Sequence, residues 1–181
     1  MEKEERTVMN EETALSEKPR AFGKAAGFIR KFFYVLFQCT WGFPQTLVGL
    51  IVFIANIRRK HFFYHGSVVT VWDSGSSVSL GLFLFVTRNA FGIVSRRGAA
   101  RRVDLSRELL VHEYGHTIQS LVLGPLYLPV IGLPSVLWAN RPKNIALRRA
   151  GMPYSAYWTE NSANRLGERA TKEASLRGTK Y

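Results

Sequence analysis

The chain has 181 residues, a formal net charge of +12 and a single cysteine. This length suits one principal domain with short appendages, and one cysteine excludes both an internal disulfide framework and a cysteine-pair zinc site. Strongly cationic chains bind nucleic acid or anionic membranes. No helix-turn-helix, zinc-finger or RNA-recognition signature is present, and the basic residues cluster beside apolar stretches. This pattern favours membrane lipid over a nucleic-acid partner, and a solvated basic face is the alternative.

Charge and hydropathy change twice along the first sixty residues. Residues 1–20 carry six acidic and four basic side chains, which predicts a disordered polar tail and no signal peptide. Residues 32–57 contain no charged side chain and are long enough to span a bilayer, yet a Trp-Gly-Phe-Pro sequence at 41–44 interrupts them. We therefore interpret residues 21–60 as an apolar helical hairpin or membrane segment, the alternative being a buried hairpin of a soluble domain.

Two stretches rich in β-branched and aromatic residues follow, at 62–72 and 78–88. The DSGSS sequence between them supplies glycine and serine for a turn, so the pattern predicts one β-hairpin. His61 and His65 lie at the start of this hairpin. We interpret them as polar residues at a strand end, and auxiliary metal ligation is the less favoured alternative.

The sequence HEYGH at residues 112–116 lies within an apolar helical pattern. Histidines four positions apart share one face of a helix, so His112 and His116 can reach one metal ion. Glu113 is then placed to act as a general base on a water activated by the metal. Gly115 leaves room for another element to pack closely. The alternative is two core histidines bonded to the backbone, with Glu113 in a salt bridge.

A second uncharged run, residues 121–139, follows the motif directly and contains three prolines and two glycines. This composition predicts a kinked segment rather than a straight helix. Basic residues flank both apolar runs, so placing the loops on alternating sides of a bilayer would violate the positive-inside rule. We therefore expect two re-entrant or interfacial hairpins with their loops in the cytoplasm. Membrane lipid is then a partner, and the motif lies at the cytoplasmic membrane surface.

A hydrolytic zinc site needs a third protein ligand and an open position for water. Glu160 begins the helical pattern YWTENSANRLGE. Asn164 lies one turn further along the same face, where it can hydrogen-bond a ligating histidine. Glu168 continues that face and is the alternative ligand, while an ordinary exposed glutamate is the alternative interpretation of Glu160.

A tyrosine can supply a further hydrogen-bond donor to the reaction. The candidates are Tyr127, Tyr154 and Tyr157, and we assign the catalytic role to Tyr157 because it is nearest to Glu160 in sequence. Packing as an aromatic side chain is the alternative role for each of them.

The HEYGH motif, followed about forty residues later by the ExxxN pattern at 160–164, resembles the gluzincin branch of the zincin metallopeptidases. The similarity covers about residues 105–168, and the sequence from HEYGH through LYLPVIGLPS also resembles small bacterial membrane-associated proteins of metallopeptidase type. In gluzincins the third ligand is a glutamate, and the residue four positions later is usually aspartate. This chain has the uncharged Asn164 there. The resemblance implies Zn²⁺ bound by His112, His116 and Glu160.

The expected fold is α+β, with a β-hairpin or small antiparallel sheet packed on the HEYGH helix and with apolar helical segments. In zincins a small sheet precedes the active-site helix, and its edge strand can pair with an extended substrate. The resemblance therefore implies a zincin-like metal-binding domain over residues 61–181, including 121–139. The expected function is membrane-associated zinc-dependent hydrolysis of a peptide or protein substrate. The alternative is a non-catalytic membrane-associated protein with a structural zinc or no metal.

Overall fold

A computed structural model describes residues 25–87 and 99–177 of the chain, with side chains from residue 107 onward in the second range. The architecture is α+β, as predicted. Residue contacts divide the chain into two compact units, Met1–Tyr34 and Val35–Tyr181. The predicted disordered tail at 1–20 lies outside the described residues. The second unit begins earlier than the predicted domain start at residue 61, because it includes residues 35–57, which are nearly all of the first apolar run.

The described residues form six α-helices, four strands and short helical connections. The helices are α1 (Ala25–Cys39), α2 (Phe43–Ala55), α3 (Ala99–Leu123), α4 (Leu133–Asn140), α5 (Pro142–Arg149) and α6 (Trp158–Thr171). The strands are β1 (Lys60–Tyr64), β2 (Ser67–Trp72), β3 (Val78–Leu80) and β4 (Phe83–Thr87). A 3-10 turn at Gly124–Leu126 and a π-helical turn at Leu128–Gly132 join α3 to α4, and a 3-10 turn at Tyr154–Ala156 precedes α6.

The sheet has the strand order β1-β2-β4-β3, so the prediction of one hairpin across DSGSS is wrong. Each predicted strand is itself a hairpin. His65 and Gly66 both have positive φ and make a tight turn between β1 and β2, while Gly81, also at positive φ, turns β3 into β4. The DSGSS segment carries the chain to the outer strand β3, and β4 returns between β3 and β2. Because β4 then runs parallel to β2, the sheet is mixed rather than antiparallel.

Helices α3 and α6 cross at glycines. A Cβ atom at Gly115 would lie 1.8 Å from the carbonyl oxygen of Ala163, and one at Gly167 would lie 2.1 Å from the carbonyl oxygen of Val111. The two backbones touch at these points, which confirms the prediction that Gly115 admits a closely packed element. The crossing brings the first turns of α6 beside the HEYGH segment of α3.

Both apolar runs are broken, as their prolines and glycines predicted. The described residues contain no single helix that is both apolar and long enough to cross a membrane. Two bent pairs satisfy those criteria jointly: Ala25–Cys39 with Phe43–Ala55, and Arg107–Leu126 with Leu128–Asn140, the second pair bent by 120°. Gly124, at positive φ, follows the last residue of α3 and lies shortly before that second break.

Candidate metal centre

Three predicted ligands meet between α3 and α6. His112 and His116 project from neighbouring turns of α3, Glu160 comes from the first turn of α6, and all three side chains are buried. One carboxylate oxygen, Oε2 of Glu160, lies 3.1 Å from Nε2 of His112 and 3.5 Å from Nε2 of His116. The ligand atoms of the three residues all lie within 4.8 Å of one another, so they can hold a metal ion together.

These distances fit a zinc ion. Ligands at tetrahedral corners 2.0–2.1 Å from zinc are about 3.3 Å apart. The two carboxylate–imidazole distances bracket that value. Two imidazoles and one carboxylate are also a donor set that zinc binds in catalytic sites with three protein ligands.

Both histidines are oriented through the ring nitrogen that faces away from Glu160. Nδ1 of His112 donates to Oδ1 of Asn164 over 2.8 Å, as the sequence predicted for Asn164. Nδ1 of His116 donates to Oε1 of Gln119 over 2.7 Å. These bonds place the Nε2 atoms toward Glu160 and favour the tautomer whose Nε2 lone pair can bind a metal. Sequence reasoning missed Gln119, whose spacing of three from His116 on one helix is the signal that could have found it.

The carboxylate of Glu160 is held by two hydroxyl groups at its second oxygen. Oγ1 of Thr159 donates to Oε1 over 3.1 Å, and Oγ of Ser135, from α4, donates to the same atom. Oε2 is thereby left for the histidines. Ser135 links the 121–139 segment to the site, and no local pattern in the sequence marks it.

The buried charges of the site depend on one another. Burial works to lower the pKa of His116, but attraction to Glu160 and a hydrogen bond with it outweigh burial and raise that pKa to about 9. Burial likewise opposes ionisation of Glu160, yet the two histidines hold its pKa well below the usual range. Each side chain therefore favours the charged form of the other, and a bound cation would take the place of a proton on His116.

Glu113, the predicted general base, lies in the same cavity as the three ligands. The cavity has a volume of about 680 Å³ and is bounded by β3, α3, α4 and the segment before α6. Oγ of Ser79, on β3, lies 2.6 Å from Oε2 of Glu113 and 2.8 Å from its carbonyl oxygen. This serine, which sequence reasoning missed, fixes the carboxylate of Glu113 against the sheet.

The three candidate tyrosines are placed differently. Tyr127 and Tyr154 line the cavity. The ring of Tyr154 is centred 6.5 Å from that of His112, and burial, followed by the charge of Glu160, raises the pKa of its phenol. Tyr157 instead stacks on Trp138, with ring centroids 5.0 Å apart and planes within 9°, and is not among the residues lining the cavity. The structure thus brings Tyr154, not Tyr157, to the ligands.

The remaining alternatives are engaged elsewhere. Glu168 accepts hydrogen bonds from Ser175 and Arg177. The ring nitrogens of His61 contact Oγ1 of Thr70 and the carbonyl oxygen of Ile57, at 3.0 Å and 3.1 Å. Within the described part of the chain, neither Glu168, His61 nor His65 joins the metal-binding group.

Comparison with known proteins identified no relative of the chain. No protein-family model, curated protein or solved structure matches the chain.

Proposed function

We propose that the chain is a membrane-associated zinc-dependent peptidase whose metal ligands are His112, His116 and Glu160. The observation that carries the proposal is the convergence of these three ligand atoms in a cavity that Glu113 also lines. A closed structural site needs no such cavity, whereas a hydrolytic site needs space for water and substrate.

Zinc, when bound, supplies the Lewis acidity that polarises a carbonyl group and activates water. Glu113 accepts a proton from the attacking water and delivers it to the leaving amine. Ser79 holds the Glu113 carboxylate in one orientation for both transfers. Tyr154 stays a neutral phenol, because its pKa is raised, and so can donate a hydrogen bond to the oxyanion that develops on the substrate.

The sheet supplies a place for the substrate backbone. β3 is an outer strand in the order β1-β2-β4-β3, and its residues line the cavity beside Glu113. An extended peptide can add to such an edge through main-chain hydrogen bonds. Because Ser79 on β3 contacts Glu113, a peptide bound along β3 would lie close to the proposed general base. This arrangement supports the zincin-like packing of sheet and helix that the sequence predicted.

The first experiment separates metal binding from catalysis. Glu113→Gln keeps the three ligands and removes the base, so zinc content should stay at the parent value while hydrolysis of a mixture of quenched fluorescent peptides falls by about 10²–10⁴. Glu168→Gln, which changes a carboxylate outside the cavity, is the matched control and should hydrolyse normally. Unchanged hydrolysis in Glu113→Gln would contradict the role of Glu113 as general base.

A non-catalytic protein with a structural zinc is the competing function. The hydrogen bond between Ser79 and Glu113 favours it, because that bond also connects β3 to α3. Cobalt substitution distinguishes the two. An open coordination position lets a hydroxamate change the visible spectrum of the cobalt protein, whereas a closed site leaves the spectrum unchanged. The second result would favour the structural role.

Membrane association is the other half of the proposal. It is supported by exposed apolar side chains on α2 and α4 and by exposed basic residues that follow each of these helices.

A further inference from the structure

Helix α2 has its polarity inverted relative to a helix on the surface of a soluble domain. Its buried residues are Gln45, Thr46 and Gly49. The opposite side exposes large apolar side chains, led by Ile51, which is 61% exposed. The exposed set is Phe43, Leu47, Val48, Leu50, Ile51 and Ile54. In water the apolar stripe of such a helix faces inward, so this stripe requires an apolar partner.

The interior behind α2 is a connected polar network. Nε2 of Gln45 donates to Oγ of Ser120 over 2.7 Å, and Oγ of Ser120 donates to Oε1 of Gln38 over 3.0 Å. Nε2 of Gln38 donates in turn to the carbonyl oxygen of Thr117, one residue after His116. Gln38, Gln45 and Ser120 are all fully buried. Hydrogen bonds between helices, with apolar side chains turned outward, are how helices associate in lipid.

Helix α4 repeats the pattern at the cavity itself. Ser135 turns inward to Glu160, while Leu133 and Val136 are 56% and 55% exposed. Both of these residues also line the cavity. The exposed apolar face of α4 and the wall of the candidate active site therefore share side chains.

Basic residues follow each of these helices and indicate which apolar partner covers their exposed faces. Arg58 and Lys60 come just after α2, and Arg141 and Lys143 come just after α4; all four are exposed. Basic residues near the surface of an anionic membrane are attracted to its headgroups. A second copy of this chain would bring the same positive charges together, so an anionic lipid surface fits better.

We propose that the outer faces of α2 and α4 lie in the lipid of an anionic membrane, and that the cavity takes an apolar segment of a membrane-bound polypeptide as its substrate. The substrate half rests on the proposed peptidase function. The lipid half does not, because it depends on exposed side chains and not on the metal. The cavity mouth at Leu133 and Val136 opens where those side chains meet lipid.

Site-specific labels test the lipid contact in the full chain. In a Cys39→Ser background, which removes the one native cysteine, single cysteines replace Ile51, Val136 or the exposed Ser74 and carry the environment-sensitive fluorophore NBD. The vesicles contain phosphatidylcholine alone or with 30 mol% phosphatidylglycerol. With the anionic vesicles, the labels at 51 and 136 should shift to shorter wavelength and be quenched by doxyl lipids, while the label at 74 should stay aqueous.

Three results would overturn the lipid contact. The labels at 51 and 136 could remain unquenched in anionic vesicles, or all three labels could be quenched equally. The labels at 51 and 136 could also be shielded already in lipid-free protein that sediments as a dimer, which would assign the faces to a second copy. Repeating the labels in the Glu113→Gln background should give the same result, so failure of catalysis and failure of lipid contact are distinguishable.

A pair of peptides tests the substrate. One quenched peptide with apolar residues at its centre is presented to vesicle-bound, zinc-loaded protein with or without an N-terminal palmitoyl chain. The palmitoylated peptide should be cleaved at least about tenfold faster, because anchoring raises its effective concentration at the cavity mouth. Equal rates would overturn the membrane-bound substrate. Cleavage of neither peptide would remove the peptidase function and its substrate together, leaving the lipid contact to the labels.

Discussion

Nδ1 of His112 and Nδ1 of His116 are each held by a neutral amide oxygen, from Asn164 and Gln119 respectively. Such a partner fixes the ring without adding negative charge near the position that a bound metal would take. Asn164→Ala removes the hydrogen bond that orients the His112 ring through Nδ1, so we expect zinc affinity to fall by about 10–100-fold. Competition with a chromophoric chelator measures the change. Asn161→Ala, on the same helix, is the matched control, and equal loss in both variants would contradict the positioning role.

We expect substitutions of the two tyrosines before α6 to have different effects on kcat. Tyr154→Phe removes the phenol whose ring is centred 6.5 Å from that of His112 and should lower kcat by about 10²–10³, as loss of one oxyanion donor does, with zinc content unchanged. Tyr157→Phe keeps the ring that stacks on Trp138 and should leave kcat close to the parent value. A drop in Tyr157→Phe with none in Tyr154→Phe would restore the assignment made from sequence.

At the scale of elements, the site depends on how closely α3 approaches α6. Gly115→Ala places a methyl group against the backbone of Ala163, which cannot move as a side chain can. We expect a loss of about 1–3 kcal/mol in the free energy of unfolding, together with weaker zinc binding, because Glu160 retreats with α6. Chemical denaturation and chelator competition measure the two effects. Gly75→Ala, where an added Cβ meets open space, should change neither.

The elements also show which inferences a sequence supports. The HEYGH helix and the face shared by Glu160 and Asn164 follow from helical periodicity, which is local, and the structure places them as expected. The hairpin between β1 and β2 was missed because its turn has His65 at positive φ, which is uncommon for a residue other than glycine. The hairpin between β3 and β4 was missed because β3 has only three residues.

Other site residues act through contacts between distant elements. Ser79 meets Glu113 from 34 residues away, and Ser135 meets Glu160 from 25 residues away. No periodicity within one element encodes such a contact. Tyr154 was ranked below Tyr157 for a related reason, since the stack on Trp138 that occupies Tyr157 depends on where α4 lies.

At the scale of the whole molecule, the described residues bury many polar side chains beside the apolar core. The described residues bury three ionisable ligands, Glu113 and the glutamine network, while large apolar side chains are exposed. Burying polar groups is costly unless they are paired, so we expect the fold to depend on its internal hydrogen bonds and, when a metal is bound, on the proposed metal site.

We therefore expect removal of the metal to lower the stability of the whole fold. His112 and His116 come from α3, Glu160 from α6, and Ser135 ties α4 to Glu160, so one ion would connect three helices. A ligand that binds only the folded state at a thousandfold excess over its Kd stabilises that state by about 4 kcal/mol. We expect Tm to fall on treatment with EDTA and to recover with added zinc. In His112→Ala, Tm should be the same with EDTA and with zinc. If the Tm of the parent protein also did not change with zinc, that result would contradict a metal centre in the fold.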